Sequence, residues 1–129
     1  MNFNFTFKSF LLIFFSALYA TTYNVPGDYS TIQEALDVAV DGDTVLVASG
    51  TTTNPITYTE NLLIETGVIL LSTGGYQTTI IDGSNPADNM GSTITIRPAS
   101  GSATIPQGIE ISGFTITGGI GNLMDREVD

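Results

Sequence analysis

Short apolar strands recur along this chain and never lengthen. Val47, Ile64 and Ile81 stand at equal steps of 17 residues, and Ile69, Ile94 and Ile116 at steps of 25 and 22. The runs around them read as strands at 44–48, 61–64, 68–72, 78–82, 93–97 and 109–117. Thr66-Gly67, Gly74-Gly75, "DGSNPADNMGS" and "PASGSATIPQG" separate them, and these are turn formers. Strand–corner–strand units that return at roughly 20 residues with variable loops predict a solenoid. A two-sheet sandwich also offers short strands at such spacing. Two-residue hairpin signals are nearly absent, which counts against the sandwich. So does "IEISGFTITGG". Ile109 and Ile111 share one face, but the next inward pair, Phe114 and Ile116, comes one residue late. A continuous strand cannot change phase without turning its apolar side outward. A sharp corner at Gly113 keeps both halves facing one core.

One segment departs from this pattern. In "STIQEALDVAVDGDTVLVASG", Ile32, Ala35, Leu36 and Ala39 form a single helical stripe. Ser30 or Thr31 caps it, with Gln33 or Glu34 three residues on, as in a capping box. Gln33, Glu34 and Asp37 face away from the stripe. Asp41-Gly42-Asp43 ends the helix by turn chemistry. The strand that follows is apolar on both sides and needs cover on both faces. The first coil of a solenoid exposes apolar side chains and unpaired backbone groups, so it needs a lid. The helix is expected to be that lid, closing the core with Ile32, Leu36 and Ala39.

The chemistry open to the chain is narrow. It has 129 residues, no cysteine and no histidine. Cys–His and Ser–His–Asp catalysis are therefore closed to it, and so are zinc sites of the usual kind. Residues 1–20, "MNFNFTFKSFLLIFFSALYA", place Lys8 before the apolar run Phe10 to Phe15 and end in small residues at Ala17 and Ala20. That is the layout of a secretory signal peptide, with cleavage expected after Ala20. An uncleaved N-terminal anchor is the other reading of the same stretch. The remainder, 21–129, carries Arg97 and Arg126 against thirteen acids. Such a surface repels phosphate backbones, so no nucleic-acid partner is expected, and no membrane contact once the leader is gone. Export without a disulfide fits a bacterial protein, secreted or at the cell surface.

"GDYSTIQEALDVAVDGDTVLVASGT", Tyr58-Thr59-Glu60-Asn61, "GVILLSTGG" and "TTIIDG" together resemble the first coils of the pectin lyase-like superfamily. Pectin methylesterases and secreted bacterial β-helix repeat proteins are the nearest in look. The resemblance covers residues 25 to about 83, and "GFTITGG" at 113–119 is similar to a later coil. It implies an all-β fold, a right-handed parallel β-helix. It carries over no catalytic residue. The paired aspartates, arginine and glutamines of the methylesterases would lie beyond residue 129. Their early glycine–tyrosine–glutamate pattern is stretched here by "TTTNPIT", between Gly50 and Tyr58 with Glu60. The paired aspartates of polygalacturonases are absent. The mature chain has no lysine for the arginine–lysine chemistry of the lyases.

About three coils are counted, and the closing "IGNLMDREVD" is too short and polar to cap a solenoid. The expectation is the N-terminal part of a longer β-helix. Its partners would be the remaining coils of the same chain, or other copies joined through the open end. Three groups remain as candidate sites. A stripe of outward residues, Tyr58, Tyr76, Thr93, Thr95 and Arg97, offers stacking and hydrogen bonds to a polysaccharide. Asp82, Ser84, Asn85 and Asp88, with Asn89, offer oxygen ligands to calcium, though not at EF-hand spacing. Glu60 with Glu65 is a candidate acid/base pair. The function expected is a non-catalytic β-helix module, structural or glycan-binding. The N-terminal segment of a polysaccharide-active esterase or lyase, and an adhesin-like assembly unit, are the alternatives.

Overall fold

The computed structural model of the chain describes residues 19–86 and 91–121. Within them lie nine strands and one helix. They are β1 (Thr22–Val25), α1 (Ile32–Val38), β2 (Thr44–Val47), β3 (Ile56–Thr59), β4 (Leu62–Ile64), β5 (Ile69–Ser72), β6 (Thr79–Asp82), β7 (Ile94–Ile96), β8 (Glu110–Ser112) and β9 (Thr115–Thr117). The protein is all-β with one short helix, and every strand pairing is parallel. The first sheet has the order β1-β2-β5-β8, the second β3-β6-β9, and the third β4-β7. From β2 onward no strand pairs with its neighbour in sequence. The chain visits the first, second and third sheets in turn, repeats the round, and returns to the first and second. The antiparallel neighbours of a hairpin-built sandwich do not occur among the described strands; the one antiparallel bridge, Thr51 with Asn54, closes a small loop.

Like residues stack where the rounds meet. Val45, Leu70 and Ile111 are in register on the first sheet. Tyr58, Ile81 and Ile116 are in register on the second, and Leu62 with Ile94 and Ile64 with Ile96 on the third. The core is drawn from all three sheets and the helix, including Val45, Val47, Leu62, Ile64, Leu70 and Ile81, each essentially inaccessible to solvent.

The register corrects the spacing read from the sequence. Val47, Ile64 and Ile81 lie on β2, β4 and β6, and therefore on three different sheets. Each step of 17 residues moves the chain two sheets on, not one full round. Ile69, Ile94 and Ile116 do the same on β5, β7 and β9. True rounds are longer and unequal, 25 residues from Val45 to Leu70 and 41 from Leu70 to Ile111. Ile69 is also not an inward residue. It aligns with Thr44 and Glu110, while its neighbour Leu70 is fully buried. Two strands lie outside the expected set: β1, whose four residues become a strand only against β2, and β3, which begins in the last two residues of the stretch read as an insert.

The corner expected at Gly113 is present and separates β8 from β9. Gly113 has φ 83°, a left-handed conformation that glycine adopts without penalty. A Cβ there would also stand 3.1 Å from Cβ of Ser72. Gly113→Val is expected to cost about 2 kcal/mol from backbone strain and this contact. Urea unfolding measures it, and an unchanged midpoint would show that the corner can relax.

The helix lies at the end of the sheets that carries β1 and β4. Thr31 is its N-cap, and Thr31 with Glu34 forms the expected capping box. Ile32, Ala35, Leu36 and Ala39 are buried, and the helix packs on β1, β2 and β4. At the other end β7, β8 and β9 each have one strand neighbour. Ile96 and Ile116, which continue the inward columns there, are 43% and 50% exposed.

Candidate functional site

The densest polar arrangement lies where α1 meets the third sheet. Glu60, in the corner before β4, turns its carboxylate onto the start of the helix. It accepts the amides of Ile32 and Gln33, both at 3.0 Å. Gln33 reaches back to β4. Its Oε1 accepts Leu63 N–H at 2.8 Å, and its Nε2 donates to Leu63 O at 3.1 Å. Among the described residues β4 has no strand on this side, and a helix side chain completes its backbone pairing in place of one. Gln33 was read as facing away; it faces the third sheet. Such a reversal is invisible to helical periodicity, which locates the apolar stripe and not what the residues beside it touch.

The turn after the helix is built on two aspartates. Asp43 is 1% exposed. Its carboxylate accepts Val40 N–H at 2.9 Å and Thr21 N–H at 2.7 Å. Asp41 accepts Gly67 N–H at 2.7 Å, tying this turn to the next round. Gly42, between them, has φ 92°. The turn expected from the sequence is there, but it also anchors β1 and the corner after β4.

The outward stripe is not assembled. Tyr58 aligns with Ile81, packs against the core, and its hydroxyl donates to Ala48 O at 2.8 Å. Thr93 is buried, and its hydroxyl donates to Thr117 O at 2.8 Å. It precedes β7 instead of continuing that strand's alternation. Thr95 aligns with Leu63, and its hydroxyl oxygen is buried without a partner among the described residues. Tyr76 and Arg97 are exposed but stand at different corners, one between β5 and β6, the other after β7. Arg97 pairs with Glu65 at 2.9 Å across adjacent rounds. A partly exposed ion pair of this kind contributes little.

Glu60 and Glu65 stand at opposite ends of β4. One holds the helix, the other Arg97. Asp82 accepts Ser84 N–H at 3.0 Å, a local turn bond. Asp88 and Asn89 lie outside the described residues, so of the calcium reading only Asp82, Ser84 and Asn85 are placed. Among the described residues no three His, Cys, Asp or Glu side chains cluster in a way that would hold a metal ion.

An aromatic pair that was not anticipated does form. Tyr23 of β1 and Tyr29 meet edge to face, with ring centres 5.7 Å apart. With Asp28 and Thr22 they border an open hollow of about 400 Å³. Asp28 is held by Asn24, whose backbone amide and then side chain keep its carboxyl below the ordinary range. A second hollow of about 430 Å³ lies between Asp41, Glu65 and the loop carrying Pro106. Both of its carboxylates are already engaged.

Burial, and then the charge of Glu60, push the Tyr58 phenol above its ordinary value of 10.0. The unfolded chain therefore loses this proton first as pH rises. The stability carried by Tyr58 is complete below the ordinary phenol range and is lost as pH climbs through the raised folded value. Tyr58→Phe is expected to remove that part of the alkaline decline and the bond to Ala48. Urea midpoints measured for both proteins at neutral and alkaline pH check this; parallel declines would refute it.

Comparison with protein families, with curated proteins and with solved structures finds no match for this chain. Among the described residues, no helix is long and apolar enough to cross a membrane.

Proposed function

We propose that this chain is the helix-capped beginning of a right-handed parallel β-helix of the pectin lyase-like kind, exported from a bacterial cell and serving as a non-catalytic structural module. The observation that carries this reading is the order of the strands. Three parallel sheets are visited in a fixed rotation, and a helix covers one end. The use of the carboxylates supports a structural role. Those of Asp28, Glu34, Asp41, Asp43, Glu60 and Asp82 accept backbone amides, and Glu65 holds Arg97. Groups spent on holding turns are poor acid/base catalysts, which need to reach a substrate proton.

The partner in this reading is another layer of β-helix. Ile96 and Ile116 continue inward columns of apolar residues and stand about half exposed. Further coils of the same longer chain would complete them, and so would a second copy. The intact mass and elution volume of the native secreted protein test this. A mass well above that of residues 21–129 assigns the cover to the same chain, and active-site motifs of an esterase or lyase would then be sought in the added coils. The short mass with large assemblies assigns it to other copies. A short, stable monomer whose strands pair antiparallel refutes the proposal.

Glycan binding has one observation in its favour, the Tyr23–Tyr29 pair beside Asp28, since tyrosine rings at an open hollow offer a stacking surface. The chain has no tryptophan, so tyrosine fluorescence reports on such a site. Titration with neutral and acidic polysaccharides should change it and raise the thermal midpoint without releasing product. Tyr29→Ala should abolish both responses. A flat titration rejects the glycan reading and leaves the structural one intact.

A further inference from the structure

Among the described residues, Thr21 is the first whose backbone is tied into the sheets. Tyr19 is 86% exposed, and Ala20 is exposed and outside the sheet ladder. Both backbone groups of Thr21 are engaged: its N–H donates to Asp43 Oδ1 at 2.7 Å, and its carbonyl accepts Thr44 N–H at 2.8 Å. Asp43 is a buried carboxylate whose described partners are two neutral amides. The ionisable groups on the neighbouring elements are Glu34 and Asp37 of α1, Asp41 of the same turn, Glu65 of the next turn, and Tyr23, Asp28 and Tyr29 on and beside β1. Arg97, the one cation among the described residues, is held by Glu65. An ammonium at hydrogen-bond distance from a carboxylate makes a shorter and stronger, charge-assisted bond than a neutral amide does.

We propose that the Ala20–Thr21 bond is the processing site of this chain and that Asp43 is a preformed receptor for the amine that cleavage releases. This rests on reading residues 1–20 as a secretory leader. An export endopeptidase that accepts small residues adds water across the bond. Ala20 leaves with the carboxylate, and the nitrogen of Thr21 becomes an ammonium 2.7 Å from Asp43 Oδ1. An amide-to-carboxylate bond becomes a part-buried ion pair, and the mature end is tied to the first sheet. The ammonium is favoured over the free amine, so its pKa rises above the ordinary α-amino range near 8. The tie is complete below that range and is lost as pH rises through the raised value.

The chain offers a clean readout. Lys8 is its one lysine and leaves with the leader, so the mature protein has a single amine. The full chain is expressed with its leader in an exporting bacterial host, and the secreted form is weighed by mass spectrometry. Its amine is then acylated with an activated ester across a series of pH values. A second chain, with one Gly inserted between Ala20 and Thr21, carries its amine one residue beyond the receptor. The expected result is a start at Thr21 and acylation about tenfold slower than in the inserted chain at neutral pH, corresponding to a pKa raised by about one unit. Asp43→Asn should remove the difference. If that variant does not fold, the inserted chain alone decides. A Thr21 start with equal rates overturns the receptor and leaves the leader reading standing. Cleavage at another bond overturns the processing site and the receptor, and a retained leader overturns the leader reading with them.

Discussion

Leu70→Ala is expected to destabilise the protein by about 3 kcal/mol, while Ile116→Ala costs under about 1 kcal/mol in the isolated monomer. Both residues sit in inward columns. Leu70 is closed off between Val45 and Ile111 and is fully buried. Truncating it leaves a cavity that parallel strands fixed on both sides cannot collapse. Ile116 has Ile81 on one side, no strand on the other among the described residues, and is half exposed. Equilibrium urea unfolding of both variants measures the difference. Equal costs would mean that another layer covers Ile116 in solution, and concentration dependence would then separate a second copy from coils of the same chain.

Glu60→Ala is expected to cost about 2 kcal/mol, because it strips a charged acceptor from two helix amides at once. Gln33→Ala should cost about 1 kcal/mol by freeing both backbone groups of Leu63 on an unpaired edge. The double variant should cost less than the two together. Once Glu60 no longer holds the first turn of α1, Gln33 is no longer positioned against β4. Strict additivity in a double-mutant cycle would show that the two contacts act independently and that the helix is held by its apolar stripe alone.

Several features were legible in the sequence because their causes are local. The stripe Ile32, Ala35, Leu36 and Ala39, with a hydroxyl cap and Glu34, admits little but a short amphipathic helix. The phase slip at Ser112-Gly113 requires a corner wherever the core lies. The turn at Asp41-Gly42-Asp43 follows from glycine between two short acceptors. The residues read as sites fared differently. Thr93 stood in the outward stripe with Thr95 and Arg97, yet it lies just outside β7 and is buried, its hydroxyl bonded to Thr117 O. Tyr58 looked like an exposed aromatic, but β3 was not recognised as a strand. Nothing then required its second apolar position to face the core.

The sequence by itself determined the material of this protein. It set a cysteine-free and histidine-free chain, short strands too apolar to stand alone, one helix with a single stripe, and corners marked by glycine. Those properties depend on neighbours a few residues apart. Only the tertiary structure decided which strands share a sheet, because residues 17 apart and residues 41 apart are equally able to face the core. Hydrogen-bond register between rounds chose among them, placing Val47, Ile64 and Ile81 on three sheets and Leu70 beneath Ile111. The same long-range pairing set the work of the acids. A carboxylate's role is fixed by the amides it meets, and Glu60 meets those of a helix 27 and 28 residues earlier.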